Sequence, residues 1–211
     1  MNENAVIFDL DGTLWDSTSE VAEIWNSVFG KEGISMITVD TVKQCMGKTN
    51  EEIGRILFAD ISEEEQNRIM DLCAEAEVEY FYQYGAVLYN GVRETLEKLH
   101  AIYGLYIVSN CQDGYVQAFM HAHELTGYFQ DIEMSGRTGK SKGENILLLM
   151  QRNHLEKAVY IGDTTGDYNA AKEAGIPFVF AEYGFGDVKD AEYTISNMTQ
   201  LPECIKKVFG D

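Results

Sequence analysis

Four short, wholly apolar runs constrain the fold of this chain more than any other feature: Ala5-Val6-Ile7-Phe8, Leu105-Tyr106-Ile107-Val108, Ala158-Val159-Tyr160-Ile161 and Phe178-Val179-Phe180-Ala181. A strand without polar alternation has both faces buried, the pattern of a parallel sheet covered by helices. Helical patterns lie between the runs. Residues 92–99 carry apolar side chains at Val92, Leu96 and Leu99, residues 114–125 follow the second run, and residues 144–150 precede the third. Residues 167–174 stop at Gly175, a helix C-terminal signal. Strand and helix alternating from Tyr89 onward predict an α/β fold with a parallel sheet and helices on both faces.

Residues 16–85 break the alternation. Val21-Ala22, Ile24-Trp25 and Val28-Phe29 recur at helical spacing, and residues 51–58 and 63–84 continue the helical character, with Ser62 placed to cap the latter. The expectation is an inserted all-helical cap domain over residues 16–85, above an α/β core built from residues 1–15 and 86–211. The aromatic run Tyr80-Phe81-Tyr82-Gln83-Tyr84 reads as helix core or domain interface rather than as a ligand cage.

Sixteen Lys and Arg against thirty-five Asp and Glu give a formal charge of -19. Nucleic acid and anionic membrane are bound through basic patches, so neither is expected as a partner. An anionic substrate approaching this surface needs a local cation, a first reason to expect a divalent metal. Cys45, Cys73, Cys111 and Cys204 lack metal-ligand spacing and read as free thiols in a reducing compartment. The polar N-terminus leads straight into a strand and no apolar run reaches membrane-spanning length, so a cytoplasmic protein is expected. His100, His121, His123 and His154 fall away from the motifs below and read as structural.

Three of the apolar runs end in polar residues, and open α/β sheets place their active sites at the carboxyl ends of strands. Asp9-Leu10-Asp11-Gly12-Thr13 follows the first, Ser109-Asn110 the second, and Gly162-Asp163-Thr164-Thr165-Gly166-Asp167 the third, with Lys142 ahead of the 144–150 helix. A carboxylate at Asp9 can attack phosphorus in line and form an aspartyl-phosphate. Asp11, two residues on, points the same way in extended geometry and can serve as acid and then base. Thr13, Ser109 and Asn110 offer donors to phosphate oxygens, and Lys142 a neutralising cation. Asp163 would face a metal, while Asp167 would hold a metal-bound water or orient Lys142. Mg²⁺ suits such oxygen ligands.

With the DxDGT, Ser, Lys and GDxxxD signatures present in order, the chain resembles the phosphatases of the haloacid dehalogenase superfamily. Asp16-Ser17, the helical insertion and Gly91-Val92 are similar to its phosphoglycolate-phosphatase and β-phosphoglucomutase group. The resemblance implies a Rossmann-like core closed by a helical cap, Mg²⁺ as cofactor and a phosphoaspartate intermediate. It implies that Asp9, the main-chain carbonyl of Asp11, and Asp163 ligate Mg²⁺, and that Thr13, Ser109 and Lys142 hold the phosphoryl group. Lys140 competes with Lys142, which is preferred for its place directly before the helix. Lys48, in a loop before a cap helix, is a candidate for contacting a second anionic group on the substrate.

The expected activity is therefore Mg²⁺-dependent hydrolysis of a small phosphomonoester, of phosphoglycolate or sugar-phosphate type. The first cap helix lacks the histidine that the mutases carry near Asp16, which disfavours the alternative of a phosphomutase. A signalling module phosphorylated on aspartate shares the acidic cluster, hydroxyl and lysine, but needs neither a base at Asp11 nor a lid.

Overall fold

In the computed structural model, which describes residues 4–210, β1 (Asn4–Phe8) leads through a two-residue strand β2 (Trp15–Asp16) into four helices. These are α1 (Thr18–Glu32), α2 (Val39–Cys45), α3 (Asn50–Leu57) and α4 (Glu63–Tyr84). The chain returns along β3 (Val87–Leu88), which pairs antiparallel with β2. Strand and helix then alternate through α5 (Val92–His100), β4 (Gly104–Ser109), α6 (Tyr115–Ala122) and β5 (Phe129–Met134). α7 (Ser135–Thr138), α8 (Lys142–Arg152), β6 (Lys157–Gly162) and α9 (Thr165–Ala174) follow. β7 (Phe178–Ala181), β8 (Tyr193–Ile195) and α10 (Leu201–Phe209) complete the order.

The main sheet runs β5-β4-β1-β6-β7-β8, and every pairing in it is parallel. β1 is interior, which explains its lack of polar alternation. Val6 and Phe8 pack on one face with Leu96, Leu99, Phe119 and Leu201, while Ala5 and Ile7 pack on the other with Ile146, Leu149 and Ala171. Full burial of side chains such as Ile7 and Phe8 stabilises the fold by roughly 1.5–3 kcal/mol each. The helices thus cover both faces and fix β1, whose carboxyl end carries Asp9.

The four-helix insertion joins the same apolar cluster instead of standing apart. α4 packs on α1 and α3 and also on α6 of the core. Ser62 caps α4 as its sequence indicates, accepting from the Glu65 amide, with Glu63, Glu64 and Glu65 at the positive end of the helix dipole. Phe81, fully buried, meets Trp15 and Tyr115 at 5.0 and 5.3 Å between ring centroids. Tyr82 stacks on His121 at 3.8 Å. The aromatic run is therefore an interface between the insertion and the sheet layer.

Candidate active site

Asp9 stands one residue past β1, and its amide continues the ladder to the Ile161 carbonyl at 2.8 Å. The chain then turns through Gly12, at φ +84, where a Cβ would lie 2.2 Å from Asp163 Oδ2. Only glycine tolerates both that backbone region and that approach. The turn brings Thr13 back so that its hydroxyl donates to Asp163 Oδ1 at 3.3 Å. Asp163 follows β6, the neighbour of β1, and its Oδ2 accepts from the Phe185 amide at 2.8 Å.

Asp167 sits in the first turn of α9. Its Oδ2 accepts from the Asp163 amide and from both the amide and hydroxyl of Thr164, forming a capping box. Its Oδ1 accepts from Lys142 Nζ at 2.6 Å, and the same ammonium donates to Asp9 Oδ1 at 2.9 Å. Lys142 opens α8, whose own start is fixed by a Ser141–Glu144 capping box. Lys140, by contrast, is exposed and lies 3.7 Å from Glu144 on the surface. Of the two lysines, Lys142 is the one that lies beside Asp9 and Asp167.

Burial, then the charge of Asp167, pushes Asp9 up to about 7, although Lys142 opposes the shift. The same causes, burial first and then Asp167 and Asp9, raise Asp163 well above the carboxylate range. Burial acts against the Lys142 ammonium, but Asp167 and Asp9 outweigh it and hold the amine well above its ordinary value. One cation is too little for three buried carboxylates. Oxygens of Asp9, Asp163 and Asp167 lie within 4.8 Å of one another. This oxygen-only, buried, under-neutralised set fits a hard divalent cation such as Mg²⁺.

The Asp11 carboxylate stands apart from that set. Its Oδ1 accepts from Trp15 Nε1 at 2.8 Å, Ser17 Oγ at 2.6 Å and Tyr115 OH at 3.0 Å. The side chain is thus engaged by neutral donors through Oδ1, and its carboxylate is not part of the Asp9, Asp163 and Asp167 cluster. Burial raises the Asp11 carboxyl, and the donors from Ser17, Tyr115 and Trp15 work against that rise.

Ser109 ends β4 and is buried beside the Cys111 amide. Asn110 reaches the cleft, but its Nδ2 donates to the Gly47 carbonyl of the insertion at 2.8 Å and its Oδ1 accepts from Ser135. Its side chain joins the insertion to the core. Lys48 also lines the cleft, with Nζ donating to the Gln44 carbonyl at 3.0 Å. Burial pushes up the Cys111 thiol, so this neighbour of Ser109 is no thiolate nucleophile.

The cleft holds about 50 Å³ and is bounded by Asp9, Asp11, Ser109, Asn110 and Tyr115 from the core and by Trp25, Met46, Lys48, Ile53 and Glu77 from the insertion. Sequence reasoning missed Trp15 and Tyr115 as partners of Asp11, and Glu77 altogether. It also missed Gly184 and Gly186, where a Cβ would lie 2.3 Å from Asp163 Cβ and 2.4 Å from Asp163 O. A Gly-Phe-Gly just after an apolar strand was the available signal for that last pair.

The family model of haloacid dehalogenase-like hydrolases matches residues 6–181. The chain belongs to this family. A phosphoglycolate phosphatase of Nitrosospira multiformis is 31% identical over 199 residues, covering 88% of this chain and 86% of its own. A second phosphoglycolate phosphatase, from Photobacterium profundum, is 29% identical over 217 residues and 95% of each chain. Among solved structures, a haloacid dehalogenase-like family hydrolase of Streptococcus pneumoniae superposes with a TM-score of 0.83 at 24% identity, covering 97% of this chain and all of that one. As a member of the family the chain is a hydrolase, and among its described residues no helix is long and apolar enough to cross a membrane.

Proposed function

We propose that this haloacid dehalogenase-like hydrolase cleaves small phosphomonoesters with Mg²⁺ through an aspartyl-phosphate on Asp9. The observation that carries the reading is the division of labour between Asp9 and Asp11. One loop presents both, yet Asp9 is paired with the Lys142 ammonium while Asp11 is held by three neutral donors. Two carboxylates in such different environments are suited to nucleophile and acid/base respectively. The relatives named phosphoglycolate phosphatase support the phosphomonoester class.

Asp9, Asp163 and Asp167, with the Asp11 carbonyl, would hold Mg²⁺. When bound, the ion neutralises the carboxylates against an incoming phosphate dianion. Thr13, Ser109 and Lys142 hold and neutralise the phosphoryl oxygens. An Asp9 carboxylate oxygen forms a bond to phosphorus as the bond to the leaving oxygen breaks, and Asp11 gives that oxygen its proton. Asp11, now ionised, takes a proton from a water that attacks phosphorus, and the bond to Asp9 breaks to release phosphate. The insertion covers the site and limits the water that reaches it.

The test is phosphate release from p-nitrophenyl phosphate with Mg²⁺ and with chelator. Release should require Mg²⁺ and should vanish in Asp9→Asn. Undiminished release in chelator or in that variant would refute the reading.

A further inference from the structure

Glu77 is a carboxylate to which the reaction above gives no task. It is buried on α4 and lines the same cleft as Asp9 and Asp11. Its Oε1 accepts from Trp25 Nε1 and its Oε2 from Gln112 Nε2 at 2.6 Å. Both donors are neutral, and among the described residues no Lys, Arg or His forms an ion pair with it. The other buried positions along α4 include Ile69, Met70, Cys73 and Phe81, so an apolar side chain would be the ordinary occupant. A buried carboxylate without a cation is costly, and two hydrogen bonds leave lone pairs unfilled.

The leaving group extends from Asp11, which protonates it. Glu77 stands on the same cleft: it lines the cavity with Asp11 and Tyr115, and Tyr115 donates to Asp11. A hydroxyl arriving here can donate to a free lone pair of Glu77. A carboxylate or second phosphate instead meets a like charge where little water screens it. Lys48 does not cancel this. Its ammonium is turned onto the Gln44 carbonyl in a solvent-exposed bond, where water weakens its field.

We propose that Glu77 selects phosphomonoesters whose leaving group presents a hydroxyl to the cleft and rejects those carrying a second anionic group there. The proposal rests on the phosphatase reading above. It also separates this chain from its phosphoglycolate-phosphatase relatives, because phosphoglycolate carries a second anion.

Phosphoglycolate and 2-hydroxyethyl phosphate form a matched pair, with a carboxylate in one where the other has CH₂OH. We would measure kcat/KM for both with Mg²⁺, at a pH where Glu77 is ionised, in wild type, Glu77→Gln and Lys48→Ala. Wild type should prefer the hydroxyethyl ester by about tenfold or more. Glu77→Gln should bring the ratio towards one, mainly by raising turnover of phosphoglycolate. A purely structural role would lower both substrates alike and would overturn the proposal. So would a wild-type preference for phosphoglycolate, and its loss in Lys48→Ala would put Lys48 in control instead. Should Glu77→Gln fail to fold, the wild-type ratio still decides. No release from either ester, nor from p-nitrophenyl phosphate, would refute the phosphatase reading itself.

Discussion

Lys142 Nζ lies 2.9 Å from Asp9 Oδ1, a buried ion pair between the first residue of α8 and the carboxyl end of β1. It joins residues far apart in the chain and is completed by Asp167 at 2.6 Å. Removing one partner of a buried pair leaves the other uncompensated, typically at about 3–5 kcal/mol. Lys142→Ala should therefore lower the unfolding midpoint and cut kcat by roughly 10²–10³. Thermal unfolding and steady-state kinetics check this, and Lys140→Ala should do neither.

Mg²⁺ binding should be visible without any substrate. The carboxylates of Asp9, Asp163 and Asp167 repel one another and a divalent ion relieves that. At a hundredfold excess over its Kd, Mg²⁺ should add about 2.7 kcal/mol of stability. Chelator should remove the gain, and Asp163→Asn should abolish most of it, its remaining oxygen still accepting from the Phe185 amide while its NH₂ donates to the Thr13 hydroxyl. Thermal shift in the two media is the measurement.

At Gly12 the backbone has φ +84 and a Cβ would fall 2.2 Å from Asp163 Oδ2. Gly12→Ala should displace the loop between Asp9 and Thr13, and a misplacement near 1 Å in such a site costs about 10²-fold. The expected outcome is a folded protein with kcat/KM down by about that factor and a weakened thermal response to Mg²⁺.

Glu77 gives a pH dependence with a defined sign. Burial pushes its carboxyl from 4.5 up to about 7, against the donors from Gln112 and Trp25, with Asp11 adding to the rise. The folded state then holds a proton that the unfolded state releases, so stability falls as pH rises through this window. Wild type should lose stability relative to Glu77→Gln between about pH 5 and about pH 8. Equal pH profiles for the two proteins would contradict this.

The interior strands were legible because burial on both faces erases polar alternation: the four apolar runs lie within β1, β4, β6 and β7. β5 and β8 escaped notice because they are edge strands. β5 carries Gln130, Asp131 and Glu133, with Asp131 and Glu133 paired to Arg152 of α8. The short α2 and the terminal α10 also left no pattern that was read. In the site, the motif residues follow strands directly and could be read locally. The clasp on Asp11 could not, because Tyr115 reaches it across 104 positions. Glu77 was hidden by company: on a helix opening with three glutamates, nothing local distinguishes the one that tertiary packing buries.

The most direct measurement is where phosphorus goes during turnover. Wild type, Asp11→Asn and Asp9→Asn would be mixed with Mg²⁺ and a phosphomonoester, acid-quenched, digested and mapped by mass spectrometry. A phosphoryl group should appear on the peptide containing Asp9, accumulate in Asp11→Asn where the base for hydrolysis is missing, and be absent from Asp9→Asn. Phosphate released at the full rate with Asp9 unmodified at every quench time would contradict covalent catalysis by this residue.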